Sequence, residues 1–139
     1  MNKPGEFPYP IPEFAAEYYW EACNRREFQM QRCTACARYR WMPGELCPYC
    51  DSADLVWTPL SGRGTVSTWT VVTHPVHPAA VAQVPYIVVE AELEEQPGLR
   101  VISNLVEIDP EEVTIGVPVE VEFREHSSGQ KLPVFKPRR

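Results

Sequence analysis

The chain has 139 residues, room for one ordinary domain or for a small metal-held module beside a compact one. Hydrophobic residues make up 44% and charged residues 23%, which argues against wholesale disorder. Thirteen Lys and Arg against 19 Asp and Glu leave a formal charge of −6, which argues against a surface built to neutralise phosphates.

Fifteen prolines predict short strands and rigid loops in place of long helices. No apolar run approaches the ~20 residues of a membrane span. The opening Met1-Asn2-Lys3-Pro4-Gly5-Glu6-Phe7 holds no apolar leader, so the expectation is a soluble cytoplasmic protein without a membrane partner.

Residues 1–12, with Pro4, Pro8, Pro10 and Pro12, read as an extended arm on which Phe7, Tyr9 and Ile11 alternate with proline. From Glu13 to about Arg26 the pattern turns helical. Phe14, Tyr18 and Ala22 recur at four-residue spacing with Ala15, Tyr19 and Cys23 alongside, and Trp20 widens the apolar face. So broad an aromatic face needs cover, either from the chain's own second module or from a protein partner. Cys23, unpaired in this stretch, reads as a small buried residue.

A short strand around Phe28 to Arg32 leads into the strongest motif. Cys33-Thr34-Ala35-Cys36 and Cys47-Pro48-Tyr49-Cys50 flank ten residues, and each pair sets two sulfurs on one tight turn. In a reducing compartment such pairs bind metal or work in redox chemistry. Cys33, Cys36, Cys47 and Cys50 are assigned to structural Zn2+ in a rubredoxin-like ribbon. The compact ten-residue spacer counts against iron, and the absence of a thioredoxin-like setting counts against a dithiol. Glycine often follows such knuckles; here stand Ala37 and Asp51, and a left-handed Ala37 would cost ~1 kcal/mol.

Leu55-Val56-Trp57 reads as the ribbon's exit strand and Ser61-Gly62-Arg63-Gly64 as a turn. Beyond it the β-branched and aromatic runs predict five strands: Thr65–Thr73, Tyr86–Leu93, Leu99–Val106, Val117–Arg124 and Leu132–Phe135. One short helical turn, Asp109 to Glu112, separates the third from the fourth. The fold class is therefore mainly β, an N-terminal helix and zinc ribbon followed by a five-stranded OB-fold barrel. The expected divisions are the arm at 1–12, helix and ribbon at 13–60, and barrel at 61–139.

No catalytic constellation stands out. His74 and His77 lie on a Pro-rich loop and His126 in the last hairpin, with no nucleophile elbow and no phosphate loop. Glu90, Glu92, Glu94 and Glu95 read as a solvated strand face and turn.

Phe28 to Cys50, Ser61-Gly62-Arg63-Gly64-Thr65-Val66, Val84-Pro85-Tyr86 and Leu132-Pro133-Val134-Phe135, in that order and spacing, resemble the DUF35 family of zinc-ribbon plus OB-fold proteins. The resemblance implies a non-catalytic accessory subunit that binds a thiolase-fold enzyme (thiolase, aldolase or acyltransferase) or a hydratase. It also implies that the barrel helps form that enzyme's acyl-CoA site, with helix and ribbon contributing to the interface. The candidate partner-facing residues are Tyr18, Trp20, Arg63, His74, Lys131 and Lys136. The loop from Thr73 to Pro85 is the segment expected near the acyl-CoA channel. Two other readings compete: a single-stranded nucleic-acid-binding OB protein with Trp69, Tyr86 and Phe123 stacking bases, and an electron carrier. The acidic balance and the lack of a basic stripe count against nucleic acid.

Overall fold

The computed structural model describes residues 6–139, so Pro4 and the start of the expected arm lie outside the described residues. A 3-10 turn, Phe14–Ala16, leads into α1, Glu17–Asn24. Three strands follow, β1 (Gln29–Cys33), β2 (Tyr39–Arg40) and β3 (Leu55–Pro59), in the antiparallel order β2-β1-β3. They form the ribbon.

The helix differs from its expectation at one end and on one face. Glu13 is extended and Phe14 takes a left-handed φ of 52°, so α-helix begins only at Glu17. This break frees the two-turn helix to bury Tyr19, Ala22 and Cys23, still an i, i+3, i+4 set. Phe14 is 90% exposed and Tyr18 is 38% exposed, against the expectation that they would share the buried face. Cys23 is buried as expected, and burial pushes its thiol up to about 12.

The remaining strands, β4 (Arg63–Val72), β5 (Tyr86–Leu93), β6 (Arg100–Leu105), β7 (Pro118–Glu125) and β8 (Lys131–Pro137), close a barrel in the order β4-β5-β6-β8-β7. All neighbours are antiparallel except β6 and β8, which touch in parallel at Leu105 and Phe135. A 3-10 turn at Pro110–Glu112 lies between β6 and β7, and the Asp109 side chain accepts from the Glu111 N–H at its start. This is the OB arrangement. The alternation read on β5 holds: Ile87, Val89, Ala91 and Leu93 all point inward.

The Ser61 to Gly64 turn is shorter than expected, because Arg63 and Gly64 already belong to β4. Gly62 makes the turn with φ of 79°, whereas Gly64 is buried where β4 meets both β5 and β7.

One apolar cluster runs through both parts. Tyr19, Cys23, Phe28 and Met30 from the helix and ribbon pack with Val66, Val89, Val101, Val119 and Phe135 from the barrel. Tyr19 is the keystone: 1% exposed, its ring lies 4.4 Å from that of Trp41 and 4.8 Å from that of Trp20. The ribbon thus sits on the barrel through shared core, and α1 also packs on β8. There the Asn24 side chain accepts from the Lys131 N–H at 2.9 Å.

Candidate metal centre

The four cysteines come from two turns that the backbone closes in the same way. Cys33 ends β1, and the Ala37 N–H donates to its carbonyl at 2.8 Å; the Asp51 N–H donates to the Cys47 carbonyl at 2.9 Å. Ala37 and Asp51 both take left-handed backbone, with φ of 67° and 63°. The chain keeps the glycine-like knuckle geometry without the glycines, and Ala37 carries the strain foreseen for it. All four sulfurs lie within 4.8 Å of one another, with Cys33 to Cys50 and Cys36 to Cys47 at 3.6 Å. A tetrahedron of Zn–S bonds about 2.3 Å long has edges of about 3.8 Å. The donor set fits that ion.

Local donors prepare the sulfurs. The Cys36 N–H points at Cys33 Sγ at 3.5 Å and lowers that thiol. Cys47 is buried, which opposes ionisation, yet the N–H groups of Tyr49 and Cys50, together with the thiols of Cys36 and Cys50, outweigh burial and bring it down to about 6. Cys50 goes the other way, up to about 12: the Ser52 amide lowers it, but the Cys33 thiol, desolvation and the thiols of Cys47 and Cys36 together raise it more. Four thiolates this close are held together only by a cation, and a divalent one bound here would displace the proton that Cys50 otherwise keeps. A bound Zn2+ would act as a structural cross-link between the two turns, with no open coordination position for chemistry.

One polar feature beneath the ribbon had no sequence signal. Arg40 is only 4% exposed; its Nε donates to Gln31 Oε1 at 2.6 Å and its Nη2 to the Gly44 carbonyl at 2.7 Å. The same Gln31 oxygen accepts from the Gly44 N–H at 2.9 Å, so strand β1, strand β2 and the loop before the second knuckle are locked together. This accounts for Gln31 being buried where simple alternation would leave it in solvent.

The other candidate residues do not converge. Tyr18 lies against Trp57 with rings 4.8 Å apart, on the ribbon side of the helix. Trp20 is half-buried on the barrel side, where the Gln130 amide donates to its carbonyl at 3.2 Å. Arg63 opens β4 and is paired with Glu94; Lys136 is paired with Glu122 at 3.5 Å and with Glu120 at 4.0 Å. His74 follows the far end of β4, roughly 30 Å along the strand from Arg63. It is exposed and has no hydrogen-bond partner among the described residues. Lys131 and Lys136 mark opposite ends of β8. No single phosphate-sized cluster of cations forms from them.

His77 and His126 have structural partners. His77 Nδ1 accepts from the Ala79 N–H at 3.1 Å and starts the 3-10 turn Pro78–Ala80. His126 clasps the arm: its Nδ1 accepts from the Ser128 N–H at 2.9 Å, so its Nε2 carries the proton and donates to the Phe7 carbonyl at 2.7 Å. The Tyr9 ring lies 4.7 Å from the imidazole, and Ser127 Oγ donates to Glu6. Phe7 thereby covers one end of the barrel, over a cavity of about 630 Å3 bounded by Ile87, Leu105, Ile108, Leu132 and Val134. The alternation of Phe7 and Tyr9 was the only sequence trace of this contact.

A four-thiolate ribbon joined through a common core to a closed five-stranded barrel defines a zinc-ribbon, OB-fold protein. Residues 20–56 match the family described as "ChsH2, rubredoxin-like zinc ribbon domain" and residues 57–124 match "ChsH2, C-terminal OB-fold domain". The chain belongs to the DUF35 family of such proteins. It is 40% identical, over 94% of its length, to a protein of Thermomonospora curvata named "Probable enoyl-CoA hydratase alpha subunit", of which it spans only 40%. It is 37% identical to a "DUF35 domain-containing scaffold protein" of Methanocaldococcus jannaschii, over 67% of this chain and 64% of that one. Among solved structures, a chain of the "Ltp2-ChsH2(DUF35) aldolase" superposes with a TM-score of 0.83 at 38% identity, covering 93% of this chain and 98% of that one.

Proposed function

We propose that this protein is a non-catalytic accessory subunit of an enzyme of acyl-CoA metabolism, an aldolase of thiolase fold or a hydratase. The observation that carries the reading is the end-to-end likeness to a chain of the Ltp2-ChsH2(DUF35) aldolase, whose name couples two proteins in one enzyme. The hydratase and scaffold names of the other relatives point the same way. Within the chain, the histidines that a sequence reading would offer for catalysis are absorbed by structure at His77 and His126, and the zinc ligand set is closed.

The zinc ribbon acts as a rigid clasp that fixes α1 relative to the barrel, so that one composite surface meets the enzyme. Of the residues expected near the acyl-CoA channel, Arg63 and Lys136 are occupied by glutamates, whereas among the described residues the side chains of Lys131 and His74 have no such partner, and of these two His74 lies on the long loop after β4. The loop Thr73 to Pro85 is therefore the segment that approaches the partner's substrate. Arg63, Arg100, Arg124 and Lys136 of the barrel are each paired with glutamates, which counts against the nucleic-acid reading.

The test is affinity purification of the tagged chain from its native host, followed by reconstitution. A stoichiometric acyl-CoA enzyme should co-purify, lose activity when stripped of the chain and regain it on mixing. Recovery of the chain alone, with no such enzyme, would sink the reading. Replacing Thr73 to Pro85 by a short Gly-Ser linker should preserve the complex and lower turnover; unchanged turnover would remove the loop from the site.

A further inference from the structure

The face of the molecule formed by the start of the helix and the ribbon carries two features that the free protein does not explain. First, Phe14 holds a left-handed φ of 52°, a conformation that penalises any side chain with a Cβ, while its ring is 90% exposed. Such strain ordinarily accompanies a side chain packed into something. Here the ring stands at the edge of a groove of about 520 Å3 whose walls are Tyr18, Leu55 and Trp57. The floor is firm: Gln31 and Gly44 line it, and both are locked by the buried Arg40.

Second, the charges around this groove are unbalanced. Glu17, Glu21 and Glu45 line its rim, and among the described residues none of them meets a cation. Glu17 and Glu21 sit four apart on one short helix, where like charges repel. The barrel is arranged differently. Its Glu90 and Glu92 meet Arg100, Glu94 meets Arg63, Glu120 and Glu122 meet Lys136, and Glu107 meets Arg124; Glu95, Glu111, Glu112 and Glu125 have no ion pair among the described residues, but none of these stands beside the Phe14 groove. Two cations are close, and neither meets the rim glutamates: Arg25, 5.6 Å from the Tyr18 ring centre, is paired with Glu27, and the buried Arg40 is bonded to Gln31 and Gly44 in the floor.

We infer that this groove is the docking face for the enzyme subunit, and that its occupant is a surface segment with an apolar residue at its centre and lysine or arginine around it. The inference rests on the accessory-subunit reading and adds to it the face, the anchor and the partner's charge. A second copy of this chain is the wrong occupant, because a two-fold contact would set glutamates against glutamates. Phe14 is the anchor, an aromatic held outward before the partner arrives, so little ordering is lost on binding. The unpaired glutamates steer and orient the approach.

The defined probe is the Ltp2 subunit of the related aldolase, with binding followed by titration calorimetry and by association rate across a salt series. Phe14→Ala should weaken the complex ~30-fold or more, the range for a central aromatic anchor. Phe14→Gly should raise the melting temperature of the free chain by relieving the left-handed backbone while weakening the complex, two effects of opposite sign that a merely structural residue does not give. Glu17→Gln/Glu21→Gln/Glu45→Gln should slow association ~10-fold at low salt and flatten its salt dependence. Arg100→Ala, on the barrel, should change neither.

If the wild-type chain binds and the Phe14 and glutamate variants stay within twofold of it, the face is wrong while the accessory-subunit reading survives. If the wild-type chain binds neither Ltp2 nor any enzyme of its own host, both fall. If it forms a dimer that Phe14→Ala disrupts, the occupant is wrong.

Discussion

Gly64 is the position where one added methyl group should do the most harm. An alanine Cβ built there would come inside 3.0 Å of the Glu92 carbonyl oxygen, 3.1 Å from its carbonyl carbon and 3.3 Å from Leu93 Cα. These are backbone atoms of β5, not the ends of flexible side chains. Restoring an ordinary 3.4 Å contact with that oxygen requires β4 and β5 to part by about 1 Å. They cannot part freely, because β4 is also paired to β7 at Gly64 and Val119 and the barrel is closed. Overpacking of this kind costs about 3 kcal/mol, equivalent to a fall in melting temperature of ~10 °C for a chain of this size. Gly44→Ala is the matched control, since its Cβ would meet nothing within 4 Å and its backbone is not left-handed. The assay is thermal unfolding followed by circular dichroism with zinc in excess. A Gly64→Ala protein that melts within 2 °C of wild type would refute the close-approach argument.

Cys47→Ser should release zinc to a colorimetric chelator at neutral pH and unfold the ribbon, because metal binding and folding are linked in such modules; full metal content and unchanged melting would contradict the structural assignment. Ala37→Gly should stabilise the protein by about 1 kcal/mol by relieving a left-handed alanine, read as a higher denaturation midpoint. His126→Ala should speed protease cleavage within residues 6–12 while lowering global melting only slightly, since it removes the arm's clasp and one contact in the exposed turn before β8. The hydrogen bond from Arg63 holds the Glu94 carboxyl below the usual carboxylate range. Its contribution is therefore complete above pH ~4.5 and disappears as pH falls through the lowered folded value. Accordingly, Arg63→Ala should lower the melting temperature slightly at pH 7, by an amount that shrinks as the pH is taken below 4.5.

The parts of the fold legible in the sequence were those with a local physical signature. Cys33, Cys36, Cys47 and Cys50 announce their own geometry, and period-two alternation from Ile87 to Leu93 announces one buried strand face. What escaped was whatever a distant segment decides. Phe14 and Tyr18 fit a helical stripe, but the direction in which α1 meets the barrel is fixed by Tyr19 against Trp41, which no local pattern encodes. Gly64 sits in a turn-like string, yet its role comes from a carbonyl nearly thirty residues on. The Arg40 lock and the His126 clasp join residues whose types are ordinary at their positions. The groove beside Phe14 was legible only as an excess of aromatic surface; its acidic rim emerges only when Glu45 from the ribbon loop is brought beside the helix.

The core shared by Tyr19, Phe28 and Met30 with Val66 and Phe135 has a consequence for modularity. Zinc ribbons often serve as portable beads, cut and joined at a linker without injury to either side. This one cannot be. A break after Leu60 would strip the barrel of its aromatic cover and leave the ribbon with an apolar underside facing water. The two parts should melt in one calorimetric transition, and in evolution they should travel as a pair.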